Sequence, residues 1–203
     1  MKSLFLSICV VLFTTTIHAQ SPIRYGVTSG INFSKYLSAD LNYSTGFQVG
    51  VSAELGLSSI YENMYVNSAI LLTQKGGKGD DLDNLKINAY YLELPVHIGI
   101  KQRLSSKFSL FEEVGPYIGF GLFGKTKADS YHSSFLGKQD GYKYNTFSKS
   151  GLKRWDLGVG FKVGTEYMNH IRLSWGMDFG LMKVSKNSSA KNFNTYFALS
   201  YLF

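Results

Sequence analysis

The sequence predicts an all-β chain, an eight-stranded antiparallel up-and-down β-barrel that crosses a membrane. Three observations predict it: apolar residues recur with period two in eight separate runs, long and short connections alternate between them, and the polar face of each run is rich in Gly. Composition agrees with strands. The chain of 203 residues holds 21 Gly, 14 Tyr and 15 Phe, and only 17% of its residues are charged, against roughly 25% in ordinary soluble domains. Its hydrophobic content of 44% excludes a disordered chain, and a single cysteine, Cys9, excludes a disulfide scaffold.

The first element lies outside the barrel. Lys2 gives a positive start, Leu4 to Phe13 an apolar run, and Thr14 to Gln20 a polar stretch with a small residue at Ala19. That layout predicts a secretory signal peptide over residues 1–19, cleaved after Ala19 or one residue either side, with the barrel domain over 20–203. The run is too short to span a bilayer, which takes about 20 residues. Cys9 sits inside it, away from the cleavage point, which argues against a lipoprotein anchor.

The eight runs follow in order. The first sets Tyr25, Val27, Ser29, Ile31 and Phe33 against Arg24, Gly26, Thr28, Gly30 and Asn32. The second runs from Phe47 to Leu57 against Gln48, Gly50, Ser52, Glu54 and Gly56. The third, Met64 to Leu72, is blurred by Leu71. The fourth, Tyr90 to Ile100, opposes Glu93, Pro95, His97, Gly99 and Lys101. The fifth, Val114 to Leu122, opposes Glu113, Gly115, Tyr117, Gly119 and Gly121. The sixth begins at Trp155 with Asp156, Gly158, Gly160, Lys162 and Gly164 opposite. The seventh, Ile171 to Leu181, opposes Arg172, Ser174, Gly176, Asp178 and Gly180, and the eighth ends at Phe203.

Polar connections follow the first, third, fifth and seventh runs, the longest from about Lys125 to Ser150. Connections around Ser58, Ser105 and Met168 are short. Outer-membrane barrels sort their loops this way, whereas a soluble sandwich has no reason to. The Gly-rich phase with Arg24, Glu54, Glu93, Lys101, Glu113, Asp156, Lys162, Glu166, Arg172 and Asp178 then lines a narrow lumen, and the apolar phase faces lipid. On that assignment Phe161→Arg should disturb insertion more than Gly160→Ser. The inverse assignment describes a soluble, lipocalin-like ligand binder.

Several segments carry a family resemblance. GINFS at Gly30 to Ser34, LLTQKG at Leu71 to Gly76, YLELPVHIGI at Tyr91 to Ile100, EEVGPYIGF at Glu112 to Phe120 and the terminal FALSYLF, taken in order, resemble the PorT-like outer-membrane β-barrel family of Bacteroidetes. The terminal Phe203, with Tyr201 two residues before it, is similar to the aromatic ending by which such barrels are recognised for insertion. The resemblance implies a bacterial outer-membrane location with both termini periplasmic. It also implies a role accessory to protein secretion, the task of the family's namesake.

Chemistry-bearing patterns are weak throughout. Gly119 to Gly124 matches GxGxxG by letters, but it lies within a strand, where a phosphate cradle needs a helix to follow. The histidines His18, His97, His132 and His170 lack metal-ligand spacing. His97 with Glu93 and Glu113 is the best polar cluster, and it reads more simply as lumen packing than as an acid-base pair. His170 and Ser174 stand four strand residues apart, about 13 Å, too far to act together. The expected catalytic, cofactor and metal sites are therefore none, and the chain is not expected to be an enzyme. Lys125, Lys127, Lys138, Lys143, Lys149 and Lys153, with Lys183, Lys186 and Lys191, make the loops basic. Expected partners are outer-membrane lipid, lipopolysaccharide, or a secretion or surface protein, with the barrel a monomer; nucleic acid is not expected. A porin-like diffusion channel is the alternative, although eight strands enclose only enough space for side chains.

Overall fold

A computed structural model of the protein describes residues 23–39, 41–57, 62–79, 85–128, 142–148, 151–185 and 188–203. The expected signal peptide and most of the longest connection, including His132 and Lys138, lie outside the described residues. Eight long strands are present: β1 (Ile23–Leu37), β2 (Ser44–Gly56), β3 (Met64–Lys78), β4 (Lys86–Arg103), β5 (Phe108–Ala128), β7 (Trp155–Tyr167), β8 (Ile171–Lys183) and β9 (Lys191–Leu202). A ninth, β6 (Tyr142–Asn145), is a four-residue return that pairs with the end of β5.

Every pairing is antiparallel, and each long strand pairs with the next long strand along the chain, β7 following β5 around the wall. β1 pairs with β9 from Gly26↔Leu202 to Leu37↔Lys191, which closes the sheet into a barrel. Closure gives each of the eight long strands a neighbour on both sides, the condition for carrying a sheet through lipid. No helix long and apolar enough to cross a membrane occurs among the described residues; the strands make the crossing.

Burial follows the predicted phases. On β1, Gly26, Asn32, Ser34 and Tyr36 are buried while Tyr25, Val27 and Ile31 are exposed. The ambiguity on β3 resolves simply: Leu71 is an inward apolar residue in step with Tyr65, Asn67, Thr73 and Lys75, and Ile70 faces out. On β5 the phase changes. Tyr90 pairs with Phe123 but Tyr91 pairs with Gly121, so Leu122 is an extra residue and the inward set continues as Gly124 and Thr126. Such a bulge re-aims everything beyond it by one position.

The strands also reach further than apolar alternation suggested. β1 continues to Leu37 and β5 to Ala128, although Ser34 and Lys35 in the one and Lys125, Thr126 and Lys127 in the other interrupt the apolar series. Backbone groups there are satisfied by neighbouring strands, so polarity alone does not end a strand. Consequently the connection 38–43 is no longer than 57–63, and the alternation of long and short connections is less strict than the spacing predicted. The loop end, holding 38–43, 79–85, 129–154 and 184–190, differs from the turn end mainly in its strand overhang and its fifth connection.

Aromatic side chains mark two levels on the outside. Towards the loop end lie Tyr43 against Phe193, Phe47 against Tyr90, Tyr90 stacked on Phe123 at 4.6 Å, and Phe120 against Trp155. Towards the turn end lie Phe108 against Tyr167, and Tyr201 against Phe203. Val49, Val51, Leu92, Leu94, Val96, Val114, Leu157 and Leu173 are exposed between them. Two aromatic girdles around an aliphatic band is the exterior a bilayer selects.

Inside, glycines make room for rings. Gly99 lies opposite Tyr65, Gly158 opposite Tyr117, Gly164 opposite Phe111 and Gly176 opposite Tyr196 on adjacent strands. A Cβ on any of these glycines would meet the facing ring. Each ring therefore lies flat along the wall, the arrangement known as aromatic rescue of strand glycine. Gly160 is equally confined: a Cβ there would sit 2.8 Å from His97 Nε2 and 2.9 Å from Asp178 Oδ1. Gly160→Ser is thus not the harmless partner to Phe161→Arg that alternation suggested.

Candidate functional site

Charges in a lumen this narrow must be paired, because an uncompensated buried ion costs several kcal/mol. The lumen meets that demand with two networks. The one nearer the turn end centres on Arg172 of β8, whose Nε donates to Glu166 Oε2 at 2.6 Å and whose Nη2 also reaches Glu54. Arg24 of β1 bridges Glu54 and Glu166, and its Nη1 donates to the backbone oxygen of Asn169 at 2.9 Å. Lys101 of β4 lies 2.9 Å from Glu166 and 3.3 Å from Glu54. Above them Glu113 of β5 accepts from Tyr65, from Asn67 and from Lys162 at 2.7 Å. The guanidinium of Arg172 is flanked by the rings of Phe111 and Tyr65, at 4.7 and 5.4 Å. Strands from most of the circumference are tied together here.

The second network lies towards the loop end and centres on Lys75. Its ammonium pairs with Glu93, lies 3.6 Å from Asp156 Oδ2 and sits 4.5 Å from the centre of the Tyr117 ring. Tyr117 donates to Asp156 at 3.2 Å, and Asn194 donates to Asp178 at 3.1 Å. Apolar alternation in the third run ends at Leu72 and does not reach Lys75. Its signal was present: counting by two from Asn67 passes Thr73 and lands on Lys75, but Leu71 interrupted the polar series.

The predicted trio of His97, Glu93 and Glu113 is divided by the structure. His97 Nδ1 lies 3.6 Å from Glu113 Oε2, whereas Glu93 belongs to the Lys75 network. His170 and Ser174 are not joined: His170 contacts the Met168 carbonyl on the exposed turn, while Ser174 is buried and donates to Ala198. Gly119 to Gly124 runs within β5, with no helix after it among the described residues. No group of three or more His, Asp or Glu residues is placed to hold a metal ion among the described residues.

Above the Lys75 network the loop end closes with apolar packing. Tyr36, Val184 and Ala190 form a small core with Leu41, Ile87 and Leu152 around it, and Ala89, Tyr91 and Phe147 form a second. Arg154 fastens the fifth connection by donating to the backbone oxygens of Gly121 and Leu122 at 2.6 and 2.9 Å, with its guanidinium 5.3 Å from the Phe147 ring. A cavity of about 40 Å³, lined by Gln48, Asn67, His97, Lys162 and Arg172, holds room for only a few waters. A wider vestibule of about 610 Å³ opens at the turn end, bordered by Arg24, Glu54, Lys101, His170 and Phe203.

An apolar exterior band around a charged, packed lumen is the inside-out plan of a lipid-embedded barrel. Sequence comparison agrees: residues 18–186 match the model of the outer membrane protein beta-barrel domain family. The chain belongs to that family. As a member it is an outer-membrane barrel. No curated protein matches it. Among solved structures it is similar to the attachment invasion locus protein Ail of Yersinia pestis, at 13% identity and TM-score 0.46, covering 89% of this chain and 99% of that one. Neisserial surface protein A gives 11% identity and TM-score 0.48, covering 89% and 97%. OprG of Pseudomonas aeruginosa gives 11% and 0.42, covering 90% and 97%.

Proposed function

We propose that the chain is a PorT-like barrel that acts as a non-catalytic structural or interaction protein of the outer membrane, accessory to protein secretion. The observation that carries this reading is a lumen closed twice over, by the Arg172 network below and by the Tyr36 and Phe147 cores above. Among the described residues the lumen is filled and no nucleophile is joined to a base, which leaves the loops and the exterior wall as the working surfaces. On this reading both termini are periplasmic and the loop end lies outside the cell. Ile23 and Phe203 lie at the turn end, where Phe203 donates its amide to the Tyr25 carbonyl at 2.8 Å. The partners in view are outer-membrane lipid, lipopolysaccharide, or a secretion or surface protein, met by a monomer.

Reconstitution in planar bilayers tests the closed lumen. No steady conductance should appear, and ohmic openings of porin size would replace this reading with a diffusion channel. Epitope tags test the orientation. A tag at Gly137 should be reached by antibody on intact cells, and one between Ser105 and Ser106 only after the outer membrane is broken. Loss of particular secreted proteins on deleting the gene, restored by the wild-type chain, would support the secretion role; an unchanged set would remove it.

A further inference from the structure

Three lysines stand side by side on the outer wall near the loop end. Lys78 of β3 lies directly opposite Lys86 of β4, and Lys86 directly opposite Lys127 of β5. All three are exposed, in step with the lipid-facing phase of their strands, and Lys125 follows two residues along on the same face. Directly opposed residues on paired strands sit only about 5 Å apart, and like charges there destabilise the sheet. Among the described residues no carboxylate relieves them, since every ion pair lies inside the lumen. Glu93, Asp156 and Asp178, the described acids at this end, are buried within the wall. The acids nearest in sequence, Asp80, Asp81, Asp83 and Asp129, lie outside the described residues.

The row's height on the barrel indicates what it meets. Tyr90 and Phe123, stacked in the girdle at this end, lie four residues along the strands from Lys86 and Lys127, roughly 13 Å. Girdle rings sit at the edge of the hydrocarbon, so the lysines project into the layer just beyond it, where lipid phosphates lie. Three cations spread over two strand spacings, about 10 Å, suit a ligand with more than one phosphate. A position on the wall rather than on a loop tip requires that ligand to be embedded in the bilayer beside the exposed strands.

We propose that Lys78, Lys86 and Lys127 form a binding site for the phosphates of lipopolysaccharide on the outside of the barrel. The inference rests on the proposed orientation, which places this end in the outer leaflet. It assigns a function to a row of like charges on the lipid-facing wall.

The test uses the full mature chain refolded into phosphatidylcholine vesicles, alone or with lipopolysaccharide, dephosphorylated lipopolysaccharide or soluble polyphosphate. Without lipopolysaccharide, a Lys78→Gln/Lys86→Gln/Lys127→Gln variant should unfold at higher urea than wild type, because repulsion is removed. With lipopolysaccharide the order should reverse, since a ligand that binds the native state stabilises it. Affinity for lipopolysaccharide should fall roughly tenfold or more in the Gln variant and survive in the Lys→Arg equivalent. Equal binding by wild type and Gln variant overturns the site. Undiminished binding to dephosphorylated lipopolysaccharide overturns the phosphate assignment. Binding of soluble polyphosphate as tight as that of lipopolysaccharide overturns the lipid source. Should the triple variant fail to fold, Lys86→Gln alone, at the centre of the row, answers the same question. The Gly137 tag reads orientation separately, so an inverted barrel is distinguished from an absent site.

Discussion

In the half of the lumen nearer the turn end, Arg24, Lys101, Lys162 and Arg172 share Glu54, Glu113 and Glu166, and each of these carboxylates has two or more cationic neighbours. In the half nearer the loop end, Lys75 is the one cation paired with Glu93 and Asp156 among the described residues, with Asp178 within electrostatic reach. The first network borders an open vestibule, and Arg24 and Lys101 keep about a fifth of their side chains exposed. The second is sealed beneath the Tyr36 and Phe147 cores, and Lys75 is almost fully buried. One network is redundant and partly wet, the other irreplaceable and dry. Buried charge is therefore not equally important along one barrel; the number of alternative partners and the access of water set its weight.

The largest expected effect breaks the irreplaceable member. Lys75→Met removes the one Lys or Arg that pairs with these dry carboxylates among the described residues, and breaking a buried pair in that way costs about 3–5 kcal/mol. Arg24→Met leaves Lys101 and Arg172 on the same two glutamates and should cost no more than about 1 kcal/mol. Urea unfolding in vesicles, followed by loss of the folded band in electrophoresis, measures both. Equal losses would mean that redundancy does not protect the first network. Adding Glu93→Gln to Lys75→Met should then recover about 0.5–3 kcal/mol, the coupling usual for residues in contact. An additive result would mean that the pair contributes nothing beyond its separate parts.

Steric confinement also separates one glycine of each network, Gly99 and Gly119. Gly99, at the turn end, faces the Tyr65 ring that donates to Glu113, and a methyl group there would push that hydroxyl off its partner. Gly99→Ala should cost about 1–3 kcal/mol as overpacking. Gly119, at the other network, has ordinary contacts only: a Cβ would lie 3.5 Å from the Asp156 Cβ and 3.7 Å from the Tyr91 ring. Gly119→Ala should change stability by less than about 0.5 kcal/mol. Similar losses at both glycines would show that ring placement, rather than charge redundancy, controls this barrel.

How far these features were legible varies with their physical origin. Period-two alternation gave the eight long strands and which face is lumenal, because lipid on one side and a crowded core on the other impose opposite chemistry on neighbouring residues. It could not give the bulge at Leu122, since one extra residue leaves composition unchanged and shifts only the pairing. Nor could it give the four-residue β6, which is too short and polar to show a period. Charged residues were correctly placed in the lumen, but their partners depend on register between strands distant in sequence. Glu93 was grouped with His97 because they share a face, while the structure gives it to Lys75 across the β3–β4 pair. The lysine row was invisible for the same reason: Lys78, Lys86 and Lys127 are scattered in the chain and become adjacent only through pairing.

A modest gain in stability, rather than a loss, sharpens the comparison at the ends themselves. The β7–β8 turn carries two consecutive residues with positive φ, Met168 at 49° and Asn169 at 61°, and His170 donates its amide to the Tyr167 carbonyl at 3.1 Å. That is a type I′ hairpin turn, whose twist matches the strands but whose central positions suit Gly, Asn or Asp. Asn169 meets the requirement and Met168 does not, at a conformational cost of about 1–2 kcal/mol. The Met168 side chain is half exposed, so little packing is lost with it. Met168→Gly should raise stability by about 1 kcal/mol after allowing for glycine's greater freedom in the unfolded chain. Asn169→Gly should change it by less, because Asn already tolerates this conformation. The same turn presents the Asn169 carbonyl to Arg24, so relief of strain should leave the neighbouring network intact. A Met168→Gly barrel that unfolds earlier than wild type would mean that the side chain, not the backbone, holds this end, and that the redundant network depends on the turn beneath it.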